Sequence, residues 1–226
     1  MAGDGNDTVN GGTGNDIVNG GDGDDTAVFS GSVLSYTVSE SSGVITVIDN
    51  AGSDGTDTLA GIERLTFIEG TFTPIFGTSA NDTPTVTTDA DLIYLEAGND
   101  TVNANNGDDL VFGGSGNDNL RGQAGNDTLD GGADNDIVDG GNGADIIDGG
   151  SGDDTLRGGG DNDTIDGGVG DDSISAGIGD DIANGGGSND TIFGQGGNDT
   201  LSGDGGADTL RGGSGDDILF LSLIHI

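Results

Sequence analysis

Gly113-Gly114-Ser115-Gly116-Asn117-Asp118-Asn119-Leu120-Arg121 and Gly149-Gly150-Ser151-Gly152-Asp153-Asp154-Thr155-Leu156-Arg157 carry one pattern, G-G-x-G-x-D-x-U-x, with U apolar. Laid out in nines from Gly77, the register holds without a gap to Phe220 and gives 16 nonapeptides. The first two, residues 77–85 and 86–94, are degenerate; the 14 from Leu95 onward are clear. Three more units occupy residues 2–28. A fixed short period over most of a chain specifies a stack of identical structural units, not a single globular core.

Position six is Asp in every one of the 17 clear units: Asp7, Asp16, Asp25, Asp100, Asp109, Asp118, Asp127, Asp136, Asp145, Asp154, Asp163, Asp172, Asp181, Asp190, Asp199, Asp208 and Asp217. The degenerate units keep it as Asp82 and Asp91. Position eight of the 17 clear units is Val, Leu or Ile, except for Ala27 and Ala183. Glycines at positions one, two and four permit a tight turn with φ > 0 and bring backbone carbonyls close together. The Asp then adds a hard carboxylate oxygen. Ca²⁺ takes six to eight such oxygens at about 2.3–2.6 Å, carboxylate and carbonyl together. The closing x-U-x is too short for a helix and suits a short strand with U turned inward.

Charge leads to the same ion. The 226 residues hold 42 acidic and 4 basic groups, all four of them Arg, for a formal net charge of -38. With 30% hydrophobic residues and no Trp, such a chain repels itself and lacks the apolar surface to fold unaided. Neutralisation by bound cations is the way out. Nucleic acid is excluded as a partner because phosphate binding needs Lys and Arg. No Cys is present, so neither disulfides nor thiolate metal sites arise. No apolar run reaches membrane-spanning length, and no Sec-type leader is visible.

The nonapeptide resembles the RTX family, also called haemolysin-type calcium-binding repeats, over about three quarters of the chain. That resemblance implies an all-β fold, a right-handed parallel β-roll with two units per coil. Position-six Asp residues 18 apart then stack along each edge, with Ca²⁺ between loops of adjacent coils. Seven clear loops per edge leave six gaps, hence about 12 ions. Val102, Leu120, Val138, Leu156, Ile174, Ile192 and Leu210 form one inner ladder; Val111, Leu129, Ile147, Ile165, Ala183, Leu201 and Leu219 form the facing one. So thin a core makes folding and calcium binding one event. Position four is Asp134, Asp161 and Ser188 where the family prefers Gly, and the loop at Ser188 is expected to hold its ion more weakly.

Four segments follow: a short repeat segment (residues 1–28), a small β module inserted near the N-terminus (29–76), the β-roll (77–220), and a non-repeat tail (221–226). In the module, Tyr36-Thr37-Val38 and Val44-Ile45-Thr46-Val47-Ile48 read as a hairpin across Ser41-Ser42-Gly43, and Ile62, Leu65, Phe67 and Phe72 supply an apolar set. It reads as a spacer or cap with its own core, or as a sugar- or partner-binding face. Both ends look cut. The tail reads as an artefactual extension, the rival being an apolar remnant of an export signal. The sole histidine, His225, lies in it and receives no role.

Catalysis finds no support. Without His225 there is no His-based triad or H-E-x-x-H site, and no Gly-x-Ser triplet completes G-x-S-x-G. The EF-hand pattern fails too: eleven residues before Glu40, Glu63, Glu69 and Glu96 stand Phe29, Gly52, Thr58 and Thr85. The expectation is a non-enzymatic, secreted, calcium-dependent structural or adhesive module, exported by the type I route typical of the family, with calcium ions and a cell-surface or polysaccharide ligand as partners. The alternative is the C-terminal region of a secreted protease, lipase, alginate epimerase or haemolysin.

Overall fold

A computed structural model describes residues 2–50, 52 and 54–221; the tail beyond Leu221, with His225, lies outside them. The chain divides into two units, Met1–Phe76 and Gly77–Ile226.

The second unit is a β-solenoid of parallel coils. One sheet runs through Asp91–Tyr94, Leu110–Ser115, Thr128–Ala133, Ile146–Ser151, Thr164–Asp166, Ile182–Asn184, Thr200–Ser202 and Ile218–Phe220. Thr101–Asn103, Asn119–Ala124, Ile137–Asn142, Thr155–Gly160, Ser173–Ile178, Thr191–Gly196 and Thr209–Ser214 form the other. Neighbouring strands in each sheet are 18 residues apart, as in Leu120↔Val138↔Leu156, so two nonapeptides make one coil. Many strands are longer than x-U-x: Asn119–Ala124 continues through Gly122 and Gln123 of the next unit. Pairing skips Gly122 and resumes at Gln123↔Gly141, which confines the turn to positions four to six.

Position eight fills the interior. Val102, Leu120, Val138, Leu156, Ile174 and Ile192 on one sheet, and Val111, Leu129, Ile147, Ile165, Ala183 and Leu201 on the other, are buried. Position seven points out in the middle of the array, leaving Ile137, Ile146 and Ile182 exposed, whereas Leu110 near its start is buried. Leu210 is only half-buried and Leu219 is 41% exposed, because no described coil stacks over theirs. One buried aliphatic side chain per nine residues is little apolar burial against the backbone entropy of ordering them.

In the first unit, strands on either side of Val28 pair in parallel. Thr8–Val9 pairs with Thr26–Val28, and that strand pairs in turn with Arg64–Thr66. Ile17–Asn19 pairs with Thr56–Ala60, placing Leu59 beside Val18 and Leu65 beside Ala27. Tyr36–Ser41 and Val44–Asp49 form the expected hairpin, turned by Ser42 and Gly43 at φ 58° and 81°. Phe29, Tyr36 and Phe67 cluster with ring centroids 5.2–5.4 Å apart. Ile62, Leu65, Phe67 and Phe72 are all buried. Asp54 closes this core by accepting the Tyr36 hydroxyl at 2.6 Å.

Candidate metal centre

Stacking in steps of 18 turns the Asp series into two continuous ladders. The backbone N–H of Asp100 donates to Asp118 Oδ1 (2.8 Å), that of Asp118 to Asp136 (2.7 Å), and that of Asp136 to Asp154 (2.7 Å). On the other edge Asp109, Asp127 and Asp145 donate to Asp127, Asp145 and Asp163 at 2.8–2.9 Å. One carboxylate oxygen of each rung is therefore consumed by the fold. The other is not: Oδ2 of Asp100, Asp109, Asp118, Asp127, Asp136, Asp145, Asp154, Asp163, Asp172, Asp181, Asp190, Asp199 and Asp208 is buried without a hydrogen-bond partner. From Asp91 to Asp199 these side chains are 0–2% exposed. An isolated buried carboxylate is too costly to persist without a counter-charge or a proton.

Glycine shapes the space beside each orphan oxygen. A Cβ added at Gly131 would stand 2.6 Å from Asp136 Oδ2 and 2.8 Å from the Gly149 carbonyl. Where position one is glycine it gives room, not the φ > 0 that the sequence suggested; Ala2, Leu95, Ala104 and Ala176 hold the same place in four clear units. Left-handed backbone belongs to positions two and four, as at Gly141 (φ 111°) and Gly143 (φ 118°). A Cβ at Gly116 would overlap the carbonyl of Gly98, one coil below, so position-four carbonyls stack in a column. Every donor here is a hard oxygen, the set that suits Ca²⁺ and not a transition metal. Among the described residues no three carboxylates or other side-chain ligands converge on one point. Carbonyls must therefore supply much of any coordination shell.

Without a cation the ladders are electrostatically strained. Burial pushes the carboxyls of Asp109, Asp136, Asp145, Asp163 and Asp172 up to about 7, against the lowering effect of the N–H each accepts; like charge on nearby Asp adds to the rise. Asp127 and Asp154 rise to about 6 for the same reasons.

Position five, a free position in the sequence pattern, forms a second ladder. Asn117 N–H donates to Asn99 Oδ1 (3.2 Å), Asn135 N–H to Asn117 Oδ1 (3.2 Å) and Asp153 N–H to Asn135 Oδ1 (3.0 Å). The signal was present: position five is Asn or Asp in 15 of the 17 clear units.

Two further rungs come from outside the repeats. Asp25 N–H donates to Glu63 Oε2 (2.8 Å), extending the ladder that begins with Asp7 N–H on Asp25 Oδ1 (2.7 Å), and on the other edge Asp16 N–H donates to Asp57 Oδ1 (2.8 Å). Oδ2 of Asp16 and Asp25 is orphaned as in the main array. Burial, with Asp16 and Asp54 nearby, raises the Asp57 carboxyl despite the Asp16 N–H it accepts. Their trace in the sequence is the acid-x-aliphatic spacing of Asp57-Thr58-Leu59 and Glu63-Arg64-Leu65.

At the other end of the 77–221 array, Asp190 and Asp199 N–H donate to Asp208 and Asp217 at 3.1 and 3.0 Å, and Asp217 is half-exposed. Asp82 and Asp91 also hold rungs, with N–H groups on Asp100 Oδ1 (2.6 Å) and Asp109 Oδ1 (2.7 Å). Unlike the clear units, each has its outer oxygen met by a threonine amide: Thr78 N–H on Asp82 Oδ2 (2.6 Å) and Thr87 N–H on Asp91 Oδ2 (2.8 Å).

Asp134, Asp161 and Ser188 occupy position four at φ 76°, 73° and 90°. Left-handed backbone costs a non-glycine residue about 1–2 kcal/mol, less for Asp than for Ser. Ser188→Gly is expected to raise the melting temperature in saturating Ca²⁺ by about 2–4 °C, read by circular dichroism.

Compared with protein-family models, the chain matches the RTX calcium-binding nonapeptide repeat (4 copies) at residues 1–28, 76–111, 112–147, 148–183 and 184–219. No curated protein matches it. The match covers about three quarters of the sequence and follows the same 18-residue coils that build the aspartate ladders, and the chain belongs to the RTX calcium-binding nonapeptide-repeat family.

Proposed function

We propose that this chain is a secreted, non-enzymatic structural or adhesive module, folded outside the cell by the calcium it binds. The observation that carries this reading is the row of buried Asp Oδ2 atoms without a protein partner, repeated coil after coil. In this reading the position-six carboxylates and the loop carbonyls hold one ion between consecutive loops on an edge. The 14 clear units of the main array then take about 12 ions, which bring about +24 against the formal charge of -38.

Binding and folding are coupled in this proposal, because the aliphatic core is thin and the empty ladders repel themselves. Extracellular calcium modules hold their ion at about 10⁻⁴–10⁻³ M, far above cytosolic levels. The chain would thus stay unfolded until exported, which suits the type I route of RTX proteins. A cell-surface or polysaccharide ligand is the proposed partner of the folded module. Among the described residues no helix is long and apolar enough to cross a membrane.

The test is far-UV circular dichroism during a Ca²⁺ titration, with Mg²⁺ as control. A cooperative coil-to-β transition near millimolar Ca²⁺ is expected. Mg²⁺ should not produce it, because it demands octahedral geometry at about 2.0–2.1 Å and keeps its waters. A spectrum that stays coil at about 10 mM Ca²⁺ would sink the proposal.

A further inference from the structure

We infer that the coil formed by residues 77–94 is an ion-free end coil, in which Thr78 and Thr87 do the work that calcium does elsewhere in the array. The inference rests on the calcium reading above and names where the ion ladder of this unit begins. Three independent observations carry it.

The first is the fate of the outer carboxylate oxygen. Thr78 meets Asp82 Oδ2 with both its amide (2.6 Å) and its hydroxyl (3.0 Å). Thr87 places its amide on Asp91 Oδ2 (2.8 Å) and its hydroxyl on Asp91 Oδ1 (2.9 Å). With two local donors on Asp82 Oδ2 and one on Asp91 Oδ2, these oxygens have recovered solvation that the orphaned ones lack, and a cation there would have to displace the donors.

The second is backbone shape. In every clear unit positions two and four are both left-handed, even where they are not glycine, as at Glu96 (φ 68°), Asn105 (φ 76°) and Gln123 (φ 81°). In the degenerate units neither Thr78 and Ala80 nor Thr87 and Asp89 has positive φ. Their loops therefore do not curl their carbonyls as the repeat loops do. The threonine hydroxyls instead accept the amides of Ala80 (3.2 Å) and Asp89 (3.1 Å), a fold-back that needs no metal.

The third is burial. Leu92 at position seven is fully buried beside Ile93 at position eight, and its partner one coil on, Leu110, is buried with it. Position seven is exposed in the middle of the array at Ile137, Ile146 and Ile182. Tyr94 stacks on Phe112 at 4.8 Å with an interplanar angle of 8°. Apolar contact in this coil supplements what ions supply further along. Because Asp82 and Asp91 still offer their N–H groups to Asp100 and Asp109, the coil presents a finished edge on which the first calcium-binding coil can form.

Ion stoichiometry in the full chain decides the matter, measured by equilibrium dialysis at saturating Ca²⁺ for the wild type and two double variants. Asp82→Asn with Asp91→Asn is expected to bind as many ions as the wild type. Asp118→Asn with Asp127→Asn should lose about four, since each carboxylate borders two gaps. A loss of about two ions in the first variant would overturn the inference while leaving the calcium reading intact. No loss in either variant would overturn the calcium reading itself. Should the first variant fail to fold, Thr78→Gly with Thr87→Gly decides: a gain of about two ions supports the cap, and an unchanged count overturns it.

Discussion

Stripped of calcium at pH 7, the chain is expected to lose its β-sheet circular dichroism, and to regain much of it without any metal at about pH 4. The sign follows from the carboxyl groups. In the folded ladders Asp109, Asp136, Asp145, Asp163 and Asp172 are held up to about 7, from an ordinary value of 3.8, by burial first and like charge second. A group whose folded pKa is raised favours the folded state below its unfolded pKa. That contribution disappears as pH climbs through the folded value. The metal-free window is therefore acid, with loss of structure between about pH 4 and pH 7. Calcium reverses this by supplying the positive charge that protons supply in acid. Circular dichroism in excess chelator across that range, with light scattering to exclude aggregates, provides the check. Persistent β signal at pH 7 in chelator, or coil at pH 4, would show that the ladders are not the seat of the instability.

Removing a single ladder charge should have the second large effect. Asp145→Asn keeps an oxygen to accept the Asp127 N–H, now at 2.8 Å, and preserves size and shape. It turns the orphaned Oδ2 into an N–H₂ group, which cannot ligate a cation. Asp145 borders one gap toward Asp127 and one toward Asp163, so about two of the roughly 12 ions should be lost. The calcium transition should also split, because coils on either side no longer share a ligand. Asp153→Asn is the control. Asp153 is an exposed position-five residue whose Oδ1 accepts the Asp171 N–H (2.9 Å), a task asparagine performs elsewhere in the same column. Its ion count and transition should match the wild type. Calorimetry with parallel dialysis separates the two outcomes, and equal losses from both variants would mean that overall charge, not the Asp145 site, governs binding.

Much of this molecule could be read one nonapeptide at a time. The inward aliphatic at position eight and the recurrent Asp at position six follow from a period that never slips between Gly77 and Phe220, and the resemblance to the RTX family supplied the two units per coil that stack those Asp residues 18 apart. The hairpin of Tyr36–Ser41 and Val44–Asp49 was equally plain, because alternation and a Ser-Gly turn are local signals. Position five was visible as a bias towards Asn and Asp, but its use as a second ladder was not. A hydrogen bond between residues 18 apart has no local signature.

The sequence by itself therefore determined the repeat, the solenoid it must form, the oxygen-rich chemistry of its loops and the charge that demands a cation. Only the tertiary structure decided which oxygens stay free for that cation. Asp57 and Glu63 join the ladder across separations of 41 and 38 residues, distances that no 18-residue register reveals. Asp82 and Asp91 keep the repeat's Asp yet have it met by Thr78 and Thr87. The physical reason is common to both. A repeat fixes which residue types recur along the chain, whereas a carboxylate's remaining valence depends on which donors reach it once the coils have stacked.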